Sequence, residues 1–154
     1  MARHIATIEW RSDGAFASGR YSRAHRWRFD GGAVVAASSS PEVVPPPLSD
    51  PAGVDPEEAL IASAASCHML WFLSLAQQAG HEVAAYRDEA EGVTGRDERG
   101  RVAVVRIVLR PRIDFAGDAP DADALAALHH EAHERCFIAN SLRGEVVVEA
   151  AGAG

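Results

Sequence analysis

The chain has 154 residues, a net charge of −7 and a sequence pI of about 5.4. This length suits one domain, spanning residues 1–154, and the acidic balance without a basic patch argues against a nucleic-acid-binding protein. The first residues lack the apolar core of a signal peptide, so we expect a protein of the reducing cytosol. Two cysteines in that compartment are more often catalytic or redox-active than a permanent structural bridge.

The first third of the chain predicts a three-stranded antiparallel meander. Alternating apolar residues and the turn at Asp30-Gly31-Gly32 carry this prediction. Strands are expected at 5–10 and 33–37, and the segment 20–29 is expected to lead into the middle strand, with His25, Trp27 and Phe29 on one face. The next segment, 38–54, holds five prolines and cannot be regular structure. A loop of this length is often functional, and a stiff linker explains it equally well.

Residues 55–80 predict one long helix. Asp55 and Glu58 have capping-box spacing at its start, and Gly80 can end it. No charged residue lies between 59 and 76, and a helix that is apolar all round is expected to be buried all round. We prefer a central core helix to a membrane span, because Ser and His interrupt the run and no second run accompanies it.

The remaining elements complete an α+β pattern. They are strands at 81–93 and 101–115 around a turn at 96–100, a helix from Asp121 to about Leu142, and a strand at 145–150. The order βββ-α-ββ-α-β predicts antiparallel sheets around two central helices.

Cys67 in the first helix and Cys136 in the second could form a redox pair if their Cα atoms approach within about 4.4–6.8 Å. The alternative is two unrelated core cysteines. Apolar surroundings raise the pKa of a thiol, so a reactive Cys67 requires a nearby cation. Arg20 and Arg23 are the best candidates for this cation, although both could be solvated charges at a strand edge.

Glu57 could hold such an arginine in place. It precedes Cys67 by ten residues, about 15 Å along one helix, so the two cannot touch directly. A second copy of the helix would bring the parts together, which argues weakly for a site at a dimer interface. Glu57 could equally serve only the helix dipole.

A metal site is a rival interpretation. His129, His133 and Cys136 follow one another at one-turn spacing, and His68 could be a fourth ligand. The metalloprotease pattern is absent, because Glu134 stands where its second histidine should fall. We favour structural roles for these imidazoles and predict no metal.

With these residues assembled, the chain resembles the OsmC/Ohr family, named after osmotically inducible protein C and organic hydroperoxide resistance protein. The resemblance rests on Asp55-Pro56-Glu57-Glu58, on Cys67 ten residues after Glu57 in an apolar helix, and on Cys136 in a late helix. It covers nearly the whole chain and implies an OsmC-like domain in an intertwined homodimer with active sites at the interface.

The family resemblance implies a thiol peroxidase without a cofactor. Cys67 would be the nucleophile that becomes a sulfenic acid, and Cys136 the resolving thiol that forms a disulfide with it. Glu57 would pair with the active-site arginine, for which we choose Arg23 over Arg20. The implied partners are an organic hydroperoxide and a reductant, either a lipoyl-type dithiol or a small thiol.

The helix after Cys67 could supply the apolar wall that such a substrate needs, although all its residues could be plain core. The candidate substrate-binding residues are Arg20, His68, Trp71 and Phe72, with Met69 and Leu70 beside them. Phe137 replaces the proline usual after the second cysteine, and Asp55 and His68 also depart from the family pattern, which suggests a sub-branch. A non-catalytic protein that binds a small apolar ligand is the alternative.

Overall fold

The computed structural model describes residues 1–149. The chain divides into two compact units, Met1–Ala59 and Leu60–Gly154. Each unit is described here by itself, and the prediction of a single domain over 1–154 stays a prediction. The predicted end of the last strand, Ala150, lies outside the described residues.

The first unit contains the predicted meander. Strands β1 (Ala6–Glu9), β2 (His25–Phe29) and β3 (Val34–Ala37) pair antiparallel in the order β1-β2-β3, which confirms the prediction. The register aligns Ile8, Trp27 and Val35 across the sheet. Alternation along each strand therefore collects apolar side chains on one face.

The proline-rich segment 38–54 contains no helix or strand, as predicted. It is nevertheless tied to its unit by specific hydrogen bonds. The Ser38 hydroxyl accepts from the Asp50 amide at 2.9 Å, and the Leu48 carbonyl accepts from the Arg23 amide at 2.8 Å. The loop thus fixes the backbone of the segment that carries Arg23.

The long helix α1 runs from Pro56 to Gln78, close to its predicted bounds. Its capping box is formed: the Glu58 amide donates to Asp55 Oδ1 at 2.8 Å, and the Asp55 amide donates to Glu58 Oε2 at 3.1 Å. Gly80 has φ of 83°, the left-handed conformation expected after a helix. Helix α1 also has the length and the mean hydropathy, 1.6, of a membrane span, a property that core helices of soluble proteins share.

The prediction that α1 is buried on all sides is wrong for the single chain. A stripe of residues one turn apart is buried: Ala64, His68, Phe72 and Ala76. The opposite stripe is exposed: Ala62, Ser66, Leu70 and Ser74. Since three of those four residues are small and two are serines, this face presents a shallow strip of mixed polarity that a second chain could approach closely.

The second unit has five strands where three were predicted. They are β4 (Val83–Asp88), β5 (Glu91–Arg96), β6 (Val102–Leu109), β7 (Pro111–Phe115) and β8 (Glu145–Val148). β4 and β7 form one antiparallel sheet, and β5, β6 and β8 form another, in which β6 and β8 run parallel.

Each of the two long strands predicted at 81–93 and 101–115 is therefore split between sheets. At the switch, the Arg110 amide donates to the Asp88 carboxylate at 2.7 Å instead of to a neighbouring strand. Pro111 has no amide proton to donate and begins β7, a position that suits proline. The Asp88 side chain thus accepts the hydrogen bond that a neighbouring strand would otherwise accept, at the point where the chain passes from one sheet to the other.

The predicted second helix is also divided. Helix α2 runs from Ala122 to Arg135 and the short helix α3 from Phe137 to Ser141, so the prediction of one helix to Leu142 is wrong at Cys136. The start is as expected, with the Ala124 amide donating to Asp121 Oδ1 at 2.8 Å. The α+β class is confirmed, with three α-helices instead of two.

Helix α1 contributes to both apolar clusters of the second unit. Phe72 and Ala76 pack with α2 and the β4–β7 sheet, in a cluster with Leu125 and Ala132. Ala64 packs with β6 at Ile107 and Leu109. The helix that carries Cys67 is therefore held by α2 and by both sheets of this unit.

Gly144 permits the close approach of β8 to β6. A Cβ there would press on the Val104 carbonyl oxygen and lie 3.0 Å from the Val105 carbonyl carbon, both backbone atoms that cannot rotate away. We expect Gly144→Ala to lower the free energy of unfolding by about 1–3 kcal/mol, as measured by urea denaturation. Gly117→Ala is the control, because a Cβ there meets nothing within 4 Å. Equal stability of the two variants would contradict this packing.

Candidate active site

The two cysteine side chains of the second unit are neighbours. Both are free thiols; Cys67 is half-buried on α1, and Cys136 is 1% exposed between α2 and α3. The two side chains lie close enough for Cys67 to raise the pKa of the Cys136 thiol. Of the two sulfurs, that of Cys67 is the more accessible and that of Cys136 the more enclosed.

Cys136 is held by the caps of two helices. Its backbone, at φ −69° and ψ 107°, ends α2 and begins α3. Its amide donates to the His133 carbonyl at 3.1 Å, and its sulfur accepts from the Ala139 amide at 3.4 Å. The helix break that sequence reasoning missed is thus what turns this sulfur toward α1.

The pKa of the Cys136 thiol is raised to about 11, chiefly by burial and also by the neighbouring Cys67, while the hydrogen bond from the Ala139 amide lowers it. Cys136 is therefore protonated at neutral pH.

Two aromatic side chains flank the thiol pair. Trp71 lies one turn after Cys67, and Phe137 follows Cys136 directly. Their rings meet edge to face, 5.8 Å apart at 84°, and the Arg135 guanidinium lies 5.6 Å from the Trp71 ring. Phe137 is 69% exposed. Phe137 was not predicted at the site; its position directly after Cys136 was the available signal.

The other candidates for an apolar wall lie in different places. Phe72 is fully buried in the core, between the rings of His129 and Tyr86. Leu70 is 60% exposed on the open face of α1. Of the predicted substrate-binding residues in this unit, Trp71 is the one that the structure brings to the thiol pair together with an exposed aromatic neighbour.

His68, also predicted at the substrate site, is buried against α2. Its Nε2 lies 3.0 Å from Nδ1 of His129, so the two rings share one hydrogen bond. The outer nitrogen atoms, His68 Nδ1 and His129 Nε2, are buried without a hydrogen-bond partner among the described residues. The pKa of each imidazole is lowered to about 4, chiefly by burial, and for His68 the neighbouring His129 and His133 contribute to this shift.

In the first unit, Arg23 and Arg20 differ in how far they are buried. Arg20 is exposed, whereas Arg23 is half-buried, with its guanidinium 3.8 Å from the centre of the Tyr21 ring and donating to the Tyr21 carbonyl. His25 accepts from Trp27 Nε1 at 2.8 Å, and its Nδ1 lies 2.8 Å from the Arg23 carbonyl. Because the tryptophan can only donate, Nδ1 of a neutral His25 carries the proton and donates to Arg23. Arg23 is thus the more ordered of the two arginines, and its choice over Arg20 as the active-site arginine stays a prediction.

Glu57 is half-buried in the first turn of α1. Across residues 1–149 it forms no ion pair, and neither does Arg23. The predicted pairing of Glu57 with an arginine therefore stays a prediction.

The rival metal site is not assembled. Within the described part of the chain, no group of three or more His, Cys, Asp or Glu side chains is placed to hold a metal ion. His129 points to His68 instead of joining His133 and Cys136 around a common centre.

Comparison with known proteins identifies the family. The family model described as OsmC-like protein matches residues 49–151. An OsmC-like protein of unknown function from Vibrio cholerae is 48% identical, with a TM-score of 0.95 over 98% of this chain and 100% of that one. The uncharacterized protein YmaD of Bacillus subtilis is 26% identical over 99 residues, 63% of this chain and 65% of that protein. The match thus spans just under two thirds of that relative.

More distant structures share the fold. An organic hydroperoxide resistance protein from Elizabethkingia anophelis has a TM-score of 0.72 at 16% identity, over 100% of this chain and 97% of that one. OhrB of Bacillus subtilis, an organic hydroperoxide resistance protein, has a TM-score of 0.66 at 18% identity, over 97% and 98%. The family model and the Vibrio cholerae structure decide the matter: the chain belongs to the OsmC-like protein family.

Proposed function

We propose that this protein is a cysteine-based peroxidase that reduces organic hydroperoxides in the cytoplasm. The observation that carries the proposal is that two free thiols are neighbours, Cys67 on α1 and Cys136 at the junction of α2 and α3. Two neighbouring thiols form a pair that can be oxidised to a disulfide and reduced again. The two hydroperoxide resistance proteins described above share this fold.

The first step is attack by the Cys67 thiolate on the O–O bond of the hydroperoxide. A sulfur–oxygen bond forms, the O–O bond breaks, and the leaving alkoxide takes a proton to become an alcohol. Cys67 is oxidised to a sulfenic acid and the peroxide is reduced. Cys67 suits this role better than Cys136, because it is more exposed, whereas burial raises the pKa of the Cys136 thiol.

In the second step, the Cys136 sulfur attacks the sulfur of the Cys67 sulfenic acid. The disulfide forms, and hydroxide leaves with the proton of the Cys136 thiol as water. A reductant, either a lipoyl-type dithiol or a small thiol, then restores both thiols by exchange and is itself oxidised to a disulfide. The cycle needs no metal or organic cofactor.

Other residues are proposed in supporting roles. Arg23, held by Tyr21 and His25, supplies the cation that favours the Cys67 thiolate, and Glu57 orients that guanidinium. Trp71 and Phe137 form the apolar wall for the organic part of the substrate. This wall favours bulky hydroperoxides over hydrogen peroxide.

The protein is further proposed to work as a homodimer. Two surfaces of the single chain support this: the exposed stripe of α1 and the apolar face of the β1–β3 sheet, where Ile8 is 60% exposed. Large apolar patches exposed on one chain often mark an interface.

The test is consumption of cumene hydroperoxide by the purified protein with dihydrolipoamide as reductant. Wild type should turn over, and Cys67→Ser should fall to the rate without protein. An apolar-ligand-binding protein with inert thiols would show the same slow rate in both. That result would remove the peroxidase assignment and leave the binding alternative.

A further inference from the structure

The two helices that carry the cysteines are also joined by the buried histidine pair. On α1, His68 directly follows Cys67; on α2, His129 precedes Cys136 by seven residues, about two turns or 10 Å. The imidazole contact therefore joins α1 to α2, while Cys136, the residue that ends α2, lies beside Cys67.

The imidazole contact is directional. The ring planes differ by only 6°, and the facing nitrogen atoms are 3.0 Å apart while the ring centroids are 5.3 Å apart. The rings therefore meet edge to edge, with the shared proton between them. His129 is also stacked on Phe72, 4.5 Å between centroids, which fixes the plane of its ring.

Within the described residues, this is the single side-chain hydrogen bond between α1 and α2. The packing around it is apolar, with Ala76, Leu125 and Ala132 in the same cluster. Apolar contacts have no preferred direction and tolerate small sliding movements, whereas a hydrogen bond weakens steeply when its atoms shift. The histidine pair thus defines one register between the helices.

This register is kept at a cost in stability. His68 is 1% and His129 4% exposed, and each leaves one ring nitrogen without a partner among the described residues. A buried polar atom without a hydrogen bond destabilises the folded state. Replacing both members of such a pair with apolar side chains is often neutral or stabilising. Stability alone therefore does not account for the pair.

We infer that His68 and His129 are positioning residues, which fix the register of the two helices so that Cys136 reaches the sulfenic acid on Cys67. The inference rests on the proposed function and extends it to the second step. It assigns the histidines no contact with the peroxide.

The consequence is a competition at the Cys67 sulfenic acid. In register, Cys136 attacks it, forming the disulfide and releasing water. Out of register, a second hydroperoxide oxidises it to sulfinic acid while being reduced to its alcohol. The ratio of disulfide to sulfinic acid after peroxide treatment therefore reports the register.

The test compares wild type with His68→Leu/His129→Leu. We expect disulfide formation after sulfenic acid to slow by about 10- to 100-fold, since a displacement near 1 Å can cost 100-fold. The sulfinic fraction should rise, as measured by mass spectrometry of the Cys67 peptide. The preceding peroxide step should change much less, and the variant should unfold in urea at the same or a higher concentration.

The control variant is His68→Gln/His129→Asn, whose amides place donors and acceptors near Nε2 and Nδ1 and should restore most of the wild-type ratio. If the leucine variant does not fold, His68→Met/His129→Met replaces it, because methionine fills irregular gaps. A wild-type disulfide rate and ratio in the folded apolar variant would overturn the inference.

A second oxidant separates this inference from the proposed function. Diamide joins two thiols into a disulfide without any peroxide chemistry. The inference predicts that diamide forms the Cys67–Cys136 bond more slowly in the leucine variant than in wild type, even if wild type proves inert to hydroperoxides. Equal rates with diamide would overturn it whatever the peroxide result.

Discussion

Cys136→Ser should stop the catalytic cycle after one step. Cys67 should still react with cumene hydroperoxide, but no disulfide can form, and turnover with dihydrolipoamide should fall by about 100-fold or more. The magnitude follows from the loss of an intramolecular partner, whose effective concentration far exceeds that of a dissolved thiol. Cys67 should accumulate as sulfenic and then sulfinic acid, which mass spectrometry of the intact chain detects.

Serine is chosen because it preserves the local structure. The Cys136 sulfur caps α3 by accepting from the Ala139 amide, and a serine hydroxyl is a good substitute at that position. Cys136→Ala removes the cap as well as the thiol, so the two variants separate the effects on folding and on chemistry. Undiminished turnover in Cys136→Ser would show that Cys136 is not the resolving thiol.

The second large effect concerns stability in mild acid. The folded-state pKa of His68 and of His129 is about 4, lowered chiefly by burial from the ordinary value of 6.5. Between these values the unfolded chain binds more protons than the folded one, so stability is lost as pH falls from 6.5 towards 4. Each histidine can contribute up to about 1.4 kcal/mol per pH unit in this window.

This loss should be visible in urea denaturation measured at intervals from pH 7 to pH 4.5. Above pH 6.5 the two histidines should contribute no slope. His68→Leu/His129→Leu should show a clearly smaller loss over the same range, because both titrating groups are gone. A variant with the wild-type slope would mean that other groups cause the acid sensitivity.

Local signals were sufficient for much of the fold. The capping box at Asp55 and Glu58, the left-handed glycine at Gly80 and the turn before β3 each lie within a few residues of what they determine. The meander, α1 and the start of α2 were therefore predicted close to their observed bounds.

The errors arise where distant residues override the local pattern. The strand division depends on Asp88 accepting from the Arg110 amide, a contact across 22 residues. The helix break at Cys136 has no glycine or proline to announce it and is stabilised by the sulfur cap. The burial of α1 was overpredicted because composition gives the polarity of a helix but not which of its faces another element covers.

The candidate site, like the fold, could be predicted from the sequence only in part. Both cysteines could be selected from the sequence because their residue type and family spacing are visible there. The hydrogen bond between His68 and His129 could not, since its members lie 61 residues apart and the helical spacing instead grouped His129 with His133 and Cys136 as candidate metal ligands, with His68 as a fourth. Only packing of α1 on α2 makes them partners.

The most direct test of the account is the fate of the two thiols after one equivalent of cumene hydroperoxide. The account predicts that Cys67 reacts much faster than a free thiol such as glutathione, and that non-reducing peptide mapping then finds Cys67 joined to Cys136. Oxidation no faster than that of glutathione, or a Cys67 product without Cys136, would contradict it.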